Sequence, residues 1–132
     1  MNYLVDTHYL IWSLLDPSRI AQRHREILEN EAHIKYVSSV SFWEIAVKYG
    51  LGKLKLSEIT PEELVSGARE AGFALLSPSS EELASSYRLE YVGSHKDPFD
   101  RLLIWQCMQQ DLLFLTADAD IAEYSSLGLS LA

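Results

Sequence analysis

Cysteine is almost missing from this chain. Cys107 stands alone, so no internal disulfide can form. It lies in the apolar run over residues 102–108, where a place in the core is the simplest reading. A reducing cytoplasm is the expected compartment. Long apolar runs are missing too: nothing approaches the ~18 consecutive apolar residues of a membrane span, and no membrane association is expected. The opening Met1-Asn2-Tyr3-Leu4-Val5-Asp6 has no basic segment and meets an acid at once, so it does not read as a signal peptide. Positive charge is scarce, with 11 Lys and Arg against 19 Asp and Glu and a net charge of −8. That argues against a surface coated with phosphate-binding cations. It does not exclude a nuclease, because a metal-binding cluster of acids holds several such charges and is compensated by the metal. It also suits a basic partner. Repeats, low-complexity tracts and linkers are absent. What is there is one domain, residues 1–132, with 48% apolar residues and enough length to bury a sizeable core.

Turn signals fall roughly every ten to twenty residues, as alternating strands and helices require. Tyr3-Leu4-Val5 reads as a short buried strand. Residues 7–15 then carry a helical stripe of Leu10, Ile11, Leu14 and Leu15, broken by Asp16-Pro17-Ser18. Residues 20–31 repeat helical spacing. Ile34-Lys35-Tyr36-Val37 is a second strand, and Ser41 is expected to open a helix that ends at Gly50 and Gly52. Thr60-Pro61-Glu62-Glu63 is a complete helix start: cap, proline, acid. Phe73-Ala74-Leu75-Leu76 is a third strand, and Ser79 or Ser80 caps the next helix. Asp97-Pro98 opens the most apolar helix, over residues 99–109. Residues 112–115 form a further strand, Asp118 starts a short helix, and residues 129–131 are expected as a last strand. Continuous apolar strands separated by helices predict an α/β fold with a mostly parallel sheet of four to five strands, flanked by helices on both faces. In such folds ligands bind at the edge where the strands' C-terminal ends gather.

Four acids fall at that edge. Asp6 follows the first strand, and Asp118 follows the strand at 112–115 after Thr116 and Ala117. Glu44 and Asp100 each lie one turn into a helix. Like charges so close repel unless a cation fills the cluster. Mg²⁺ or Mn²⁺, hard ions that prefer oxygen, are the natural fillers. A carboxylate-held pair of such ions can activate a water and stabilise the leaving oxygen of a phosphodiester. Each acid also has a plain structural reading. Ser41-x-x-Glu44 fits a capping box, Asp97 fits an N-cap with Asp100 at the third position, Asp118 fits a cap, and Asp6 fits a turn. Their conjunction favours the site, and Asp97, the most cap-like, is kept outside its core.

The segments Leu4-Val5-Asp6-Thr7-His8, Val40-Ser41-Phe42-Trp43-Glu44-Ile45-Ala46-Val47-Lys48, Asp97-Pro98-Phe99-Asp100-Arg101-Leu102-Leu103-Ile104 and Leu115-Thr116-Ala117-Asp118 together resemble the PIN-domain family, and within it the VapC-type toxins of prokaryotic toxin–antitoxin pairs. The ordered set spans nearly the whole chain. The resemblance implies a PIN-like three-layer sandwich, a Mg²⁺- or Mn²⁺-dependent ribonuclease, a cognate antitoxin and a homodimer. By motif match it carries Asp6, Glu44, Asp100 and Asp118 over as metal-site acids, with Asp120 as a more variable one. Thr116 either orients a metal-bound water or ends its strand. The substrate RNA and its cleavage site are not written in these motifs.

The remaining polar residues divide between surface and site. Lys48 follows Glu44 by four residues, so it forms a helix-surface pair or faces the substrate phosphate. Arg101, Lys53, Lys55 and Lys96 are candidate RNA contacts or solvated charges. His8, His24, His33 and His95 have no metal-ligand spacing. Trp12, Leu14, Leu15, Phe42 and Trp43 exceed what a small monomer needs to hide, which suggests a groove for an antitoxin helix or extended segment. The competing classes are weaker. An aspartate-dependent phosphatase wants a second acid two residues after Asp6, where His8 stands, and a Lys near the late acids. A phosphoacceptor receiver wants paired early acids and a late strand Lys. A catalytically inactive PIN-like binding module would not need all four acids.

Overall fold

The computed structural model describes residues 1–132. Four strands, β1 (Asn2–Val5), β2 (Ile34–Ser38), β3 (Ala74–Leu76) and β4 (Leu113–Leu115), form one parallel sheet in the order β3-β2-β1-β4. β1 occupies an inner position because Tyr3, Leu4 and Val5 are all buried, which only a strand covered on both faces allows. Its side chains alternate between two cores. Leu4, in register with Tyr36 and Phe114, points into one; Val5, in register with Leu115, points into the other.

Seven helices cover the sheet: α1 (Thr7–Leu15), α2 (Gln22–Glu29), α3 (Ser39–Gly50), α4 (Pro61–Glu70), α5 (Ser80–Ser85), α6 (Pro98–Gln109) and α7 (Ala119–Ala122). Leu10 and Ile11 of α1, Ile45 of α3 and Leu64 and Ala68 of α4 fill the core with Val5. Leu103, Ile104 and Cys107 of α6 join Ile121 and Tyr124 in the core with Leu4. Helix α3 reaches both, through Ile45 and Val40. The result is the expected three-layer α/β sandwich.

Three local readings change. The last strand shrinks to one parallel bridge between Phe114 and Leu131, with Phe114 N–H donating to the Ser130 carbonyl at 2.8 Å. The helix after β2 starts at Ser39, and Ser38 is its N-cap, accepting from the Val40 N–H. Ser41 therefore lies inside α3, where its buried hydroxyl accepts from Thr7 Oγ1 at 2.8 Å. The Ser41–Glu44 capping box does not exist. The other boxes do: Thr60 with Glu63, and Ser79 with Glu82.

Candidate functional site

The C-terminal ends of β1 and β4 deliver Asp6 and Thr116 side by side, with the Asp6 N–H donating to the Leu115 carbonyl at 3.0 Å. Asp6 stands at the N-cap of α1 but makes no side-chain cap. Its carboxylate instead accepts from Thr116 Oγ1 at 2.7 Å, and the same hydroxyl accepts from the Asp118 N–H at 3.0 Å. Thr116 thus ties the first acid to the turn that carries the last. Asp118 is the N-cap of α7 and accepts from the Asp120 N–H, while Asp120 itself is exposed. A cavity of about 250 Å³ opens here, with Asp6, Asp118, His8 and Trp12 on its walls.

Glu44 comes from helix α3. It is 2% exposed although it lies in the middle of α3, because that face of the helix turns toward the sheet edge. Lys48, one turn on, donates to Oε2. Oε1 is fully buried and has no hydrogen-bond partner. Burial works against the Lys48 ammonium, but its bond to Glu44 and the nearby charges of Asp97 and Asp100 outweigh this and raise its pKa.

Helix α6 supplies the third group. Asp97 caps it, with Oδ1 accepting from the Phe99 and Asp100 N–H groups. Oxygens of Glu44, Asp97 and Asp100 meet within 4.8 Å of one another. Asp97, kept out of the core site on sequence grounds, is therefore part of the tightest acid group. It serves as cap and cluster member together. Asp100 Oδ2 lies 3.1 Å from His95 Nε2, and His95 Nδ1 lies 3.0 Å from the Tyr124 hydroxyl. Arg101 donates to that hydroxyl, and to the Leu89 and Glu90 carbonyls at 2.6 and 3.2 Å. This network fastens the segment before α6 to the acid. Sequence spacing missed His95 and Tyr124; only the position of His95 two residues before Asp97 hinted at it.

The two acid groups feel each other. Burial, first, raises the pKa of Asp6, and Glu44 and Asp118 add to it, against the pull of Thr116 and His8. Burial and then Asp97 raise Asp100 to about 6, with Asp6 and Glu44 adding and the His95 bond opposing. Asp6, Glu44 and Asp100 are thus in mutual range, and Asp118 adjoins Asp6. A cluster held at this electrostatic disadvantage is suited to receiving positive charge.

A family model matches residues 3–127, and its description is PIN domain. The chain belongs to the PIN domain family. Solved structures extend the likeness of this PIN domain over its full length. VapBC2 from Rickettsia felis, bound to a DNA fragment from its promoter, is 15% identical with a TM-score of 0.64, covering 100% of this chain and 98% of that one. VapBC-1 from nontypeable Haemophilus influenzae is 13% identical with a TM-score of 0.67, covering 100% and 97%. DNA-bound VapBC from Salmonella typhimurium is 16% identical with a TM-score of 0.66, again covering 100% and 97%. At those identities the likeness is one of fold. No curated protein matches this PIN domain in sequence.

Proposed function

We propose that this PIN domain is a metal-dependent ribonuclease and the toxin of a toxin–antitoxin pair, acting through Asp6, Glu44, Asp100 and Asp118 with Asp97 beside them. The observation that carries the reading is Glu44: a carboxylate 2% exposed, with Oε1 unpartnered, among acids whose burial and mutual repulsion leave a cation wanting. The donors are all carboxylate oxygens, a set that fits Mg²⁺ or Mn²⁺ and suits softer metals poorly. Bound there, such an ion supplies Lewis acidity, lowering the pKa of a water and offsetting charge on the phosphodiester. The chain's own residues set the stage. Thr116 holds Asp6 by one oxygen. His95 holds Asp100 by Oδ2. Lys48 neutralises Glu44 at Oε2 and leaves Oε1 without a hydrogen-bond partner.

The toxin reading rests on the fold shared with the VapBC structures and on the four motifs. A cognate antitoxin and a homodimeric state belong to that reading. Trp12 is half-buried and carries the Arg19 guanidinium 4.4 Å from its ring centroid, while Leu15 is exposed beside it. An apolar partner segment on α1 would thus lie near Asp6 and Asp118. Leu14 and Phe42 pack against the core and offer less to a partner than the sequence suggested. The test is cleavage of an unstructured RNA with Mg²⁺, stopped by EDTA and restored by excess Mg²⁺ or Mn²⁺. Metal-independent cleavage, or none with either ion, would sink the reading.

A further inference from the structure

A cavity of about 330 Å³ is lined by chain neighbours of the Glu44–Asp97–Asp100 group, and the Lys48 ammonium that bonds Glu44 sits 5.9 Å from the centroid of the Phe99 ring in its wall. Its walls are largely aromatic, with Trp43, Phe99, Tyr87 and Tyr91 lining it and Arg101 among them. Trp43 and Phe99 are the chain neighbours of Glu44 and Asp100, so the same helical turns that aim the acids inward aim these rings at the rim. Trp43 is 60% exposed and Tyr91 64%. Neither ring is loose. Trp43 meets Phe99 edge to face at 5.1 Å, and the Arg101 guanidinium sits 3.7 Å from the Tyr91 ring centroid, fixed by the Leu89 and Glu90 carbonyls. Exposed rings held in place beside a candidate reaction centre call for a ligand with flat faces.

Charge says which ligand. A chain of net charge −8 gains little by pairing with a polyanion's phosphates. Its site cations are also committed, Lys48 to Glu44 and Arg101 to carbonyls and the Tyr124 hydroxyl. Affinity for a nucleic acid must then come from contacts other than Coulomb attraction, and stacking on aromatic and guanidinium planes supplies it. Bases paired in a duplex keep their faces covered, so only an unpaired nucleotide can use such a shelf.

We propose that this aromatic cavity is a nucleobase-stacking subsite, which holds one unpaired base next to the scissile phosphodiester against Trp43 and Phe99, with Tyr91 lining the same cavity. It rests on the ribonuclease reading and gives that site its substrate class: single-stranded RNA, selected by stacking. Arg101 acts here as the support of Tyr91. The base anchors the strand, and the attached phosphate would meet the acid group through the metal ion those carboxylates would hold.

The test uses the full chain and a short unstructured RNA carrying 2-aminopurine, or an abasic residue, at each position in turn. With Mg²⁺, Trp43→Ala is expected to lower kcat/KM roughly 5- to 150-fold, the range for loss of one stacked base. Trp43→Phe is expected to recover most of it. One abasic position should cause the same loss with the wild-type chain and no further loss with Trp43→Ala. In EDTA, 2-aminopurine at that position should be quenched on binding the wild-type chain and not the variant. Because Trp43 is largely exposed, its replacement should leave the melting temperature nearly unchanged. Equal cleavage by Trp43→Ala overturns the subsite. So does a loss of activity that coincides with a shift from dimer to monomer in sedimentation velocity, which would make the shelf a contact between two copies. If the wild-type chain cleaves no RNA at all, the ribonuclease reading falls separately. Quenching in EDTA then decides the subsite alone: present and Trp43-dependent, it stands; absent, it is overturned.

Discussion

At neutral pH, Asp100 carries a charge that burial and the neighbouring Asp97 oppose, which is why its pKa rises to about 6. Asp6 is raised by the same two kinds of cause, burial and neighbouring acids. Removing either charge should relieve the fold while disabling the site. Asp100→Asn keeps shape, so in EDTA at pH 7 it is expected to stabilise by on the order of 2 kcal/mol, or roughly 6–10 °C in Tm. Asp6→Asn can still accept from Thr116 and should also raise the melting temperature. Both variants should lose RNA cleavage. Differential scanning calorimetry beside a cleavage assay checks the pair, and a fall in Tm would mean that these carboxylates hold the fold together.

At the level of elements, the segment preceding α6 is held by Leu89 in the core, with Val92 packed against it, and, nearer the acids, by a few polar contacts. Tyr124, fully buried after α7, links Arg101 to His95 through one hydroxyl, and His95 in turn meets Asp100. Tyr124→Phe keeps the ring and removes that link. Its expected cost in stability is about 1 kcal/mol, the net value of such a bond. Its larger effect should be on metal, because groups that orient a ligand shift affinity by roughly 10-fold or more. Titration calorimetry with Mn²⁺ reads this without any turnover. Unchanged affinity would show that Asp100 is oriented well enough by Asp97 and the helix start alone.

For the molecule as a whole, the acid edge sets how stability responds to pH and metal. Asp6 and Asp100 both have folded pKa values above the unfolded one. Their contribution is therefore fully present below pH about 3.8 and is lost as pH rises through about 6 for Asp100. In EDTA, Tm should climb as pH falls from 7.5 toward 5, before protonation of the other acids reverses it. At pH 7.5, Mg²⁺ should recover the loss, by about 2.7 kcal/mol at a hundredfold excess over its Kd. Thermal melts across pH, with and without Mg²⁺, check both. A Tm that falls steadily on acidification and ignores Mg²⁺ would speak against the cluster as a metal centre.

Much of the architecture was legible in the chain itself. Strand and helix order follows from apolar runs and cap grammar, both local, and the parallel sheet follows from their alternation. Asp6, Glu44, Asp100 and Asp118 could be placed at one sheet edge for the same reason: each lies a fixed, short distance from a strand end or helix start. Other features depended on neighbours remote in sequence. Ser38 takes the cap from Ser41 because Thr7, 34 residues away, claims the Ser41 hydroxyl inside the core. Residues 129–131 fail to become a strand because only Leu131 bridges to β4. Asp97 enters the acid group because α3 and α6 bring Glu44 to it, and His95 matters because Tyr124 turns its ring toward Asp100. Sequence periodicity tells which face of an element is apolar. It does not tell which two faces meet, so the acids' existence belongs to the sequence, and their partners, their burial and the raised pKa values of Asp6 and Asp100 belong to the packing of α3, α6 and the sheet.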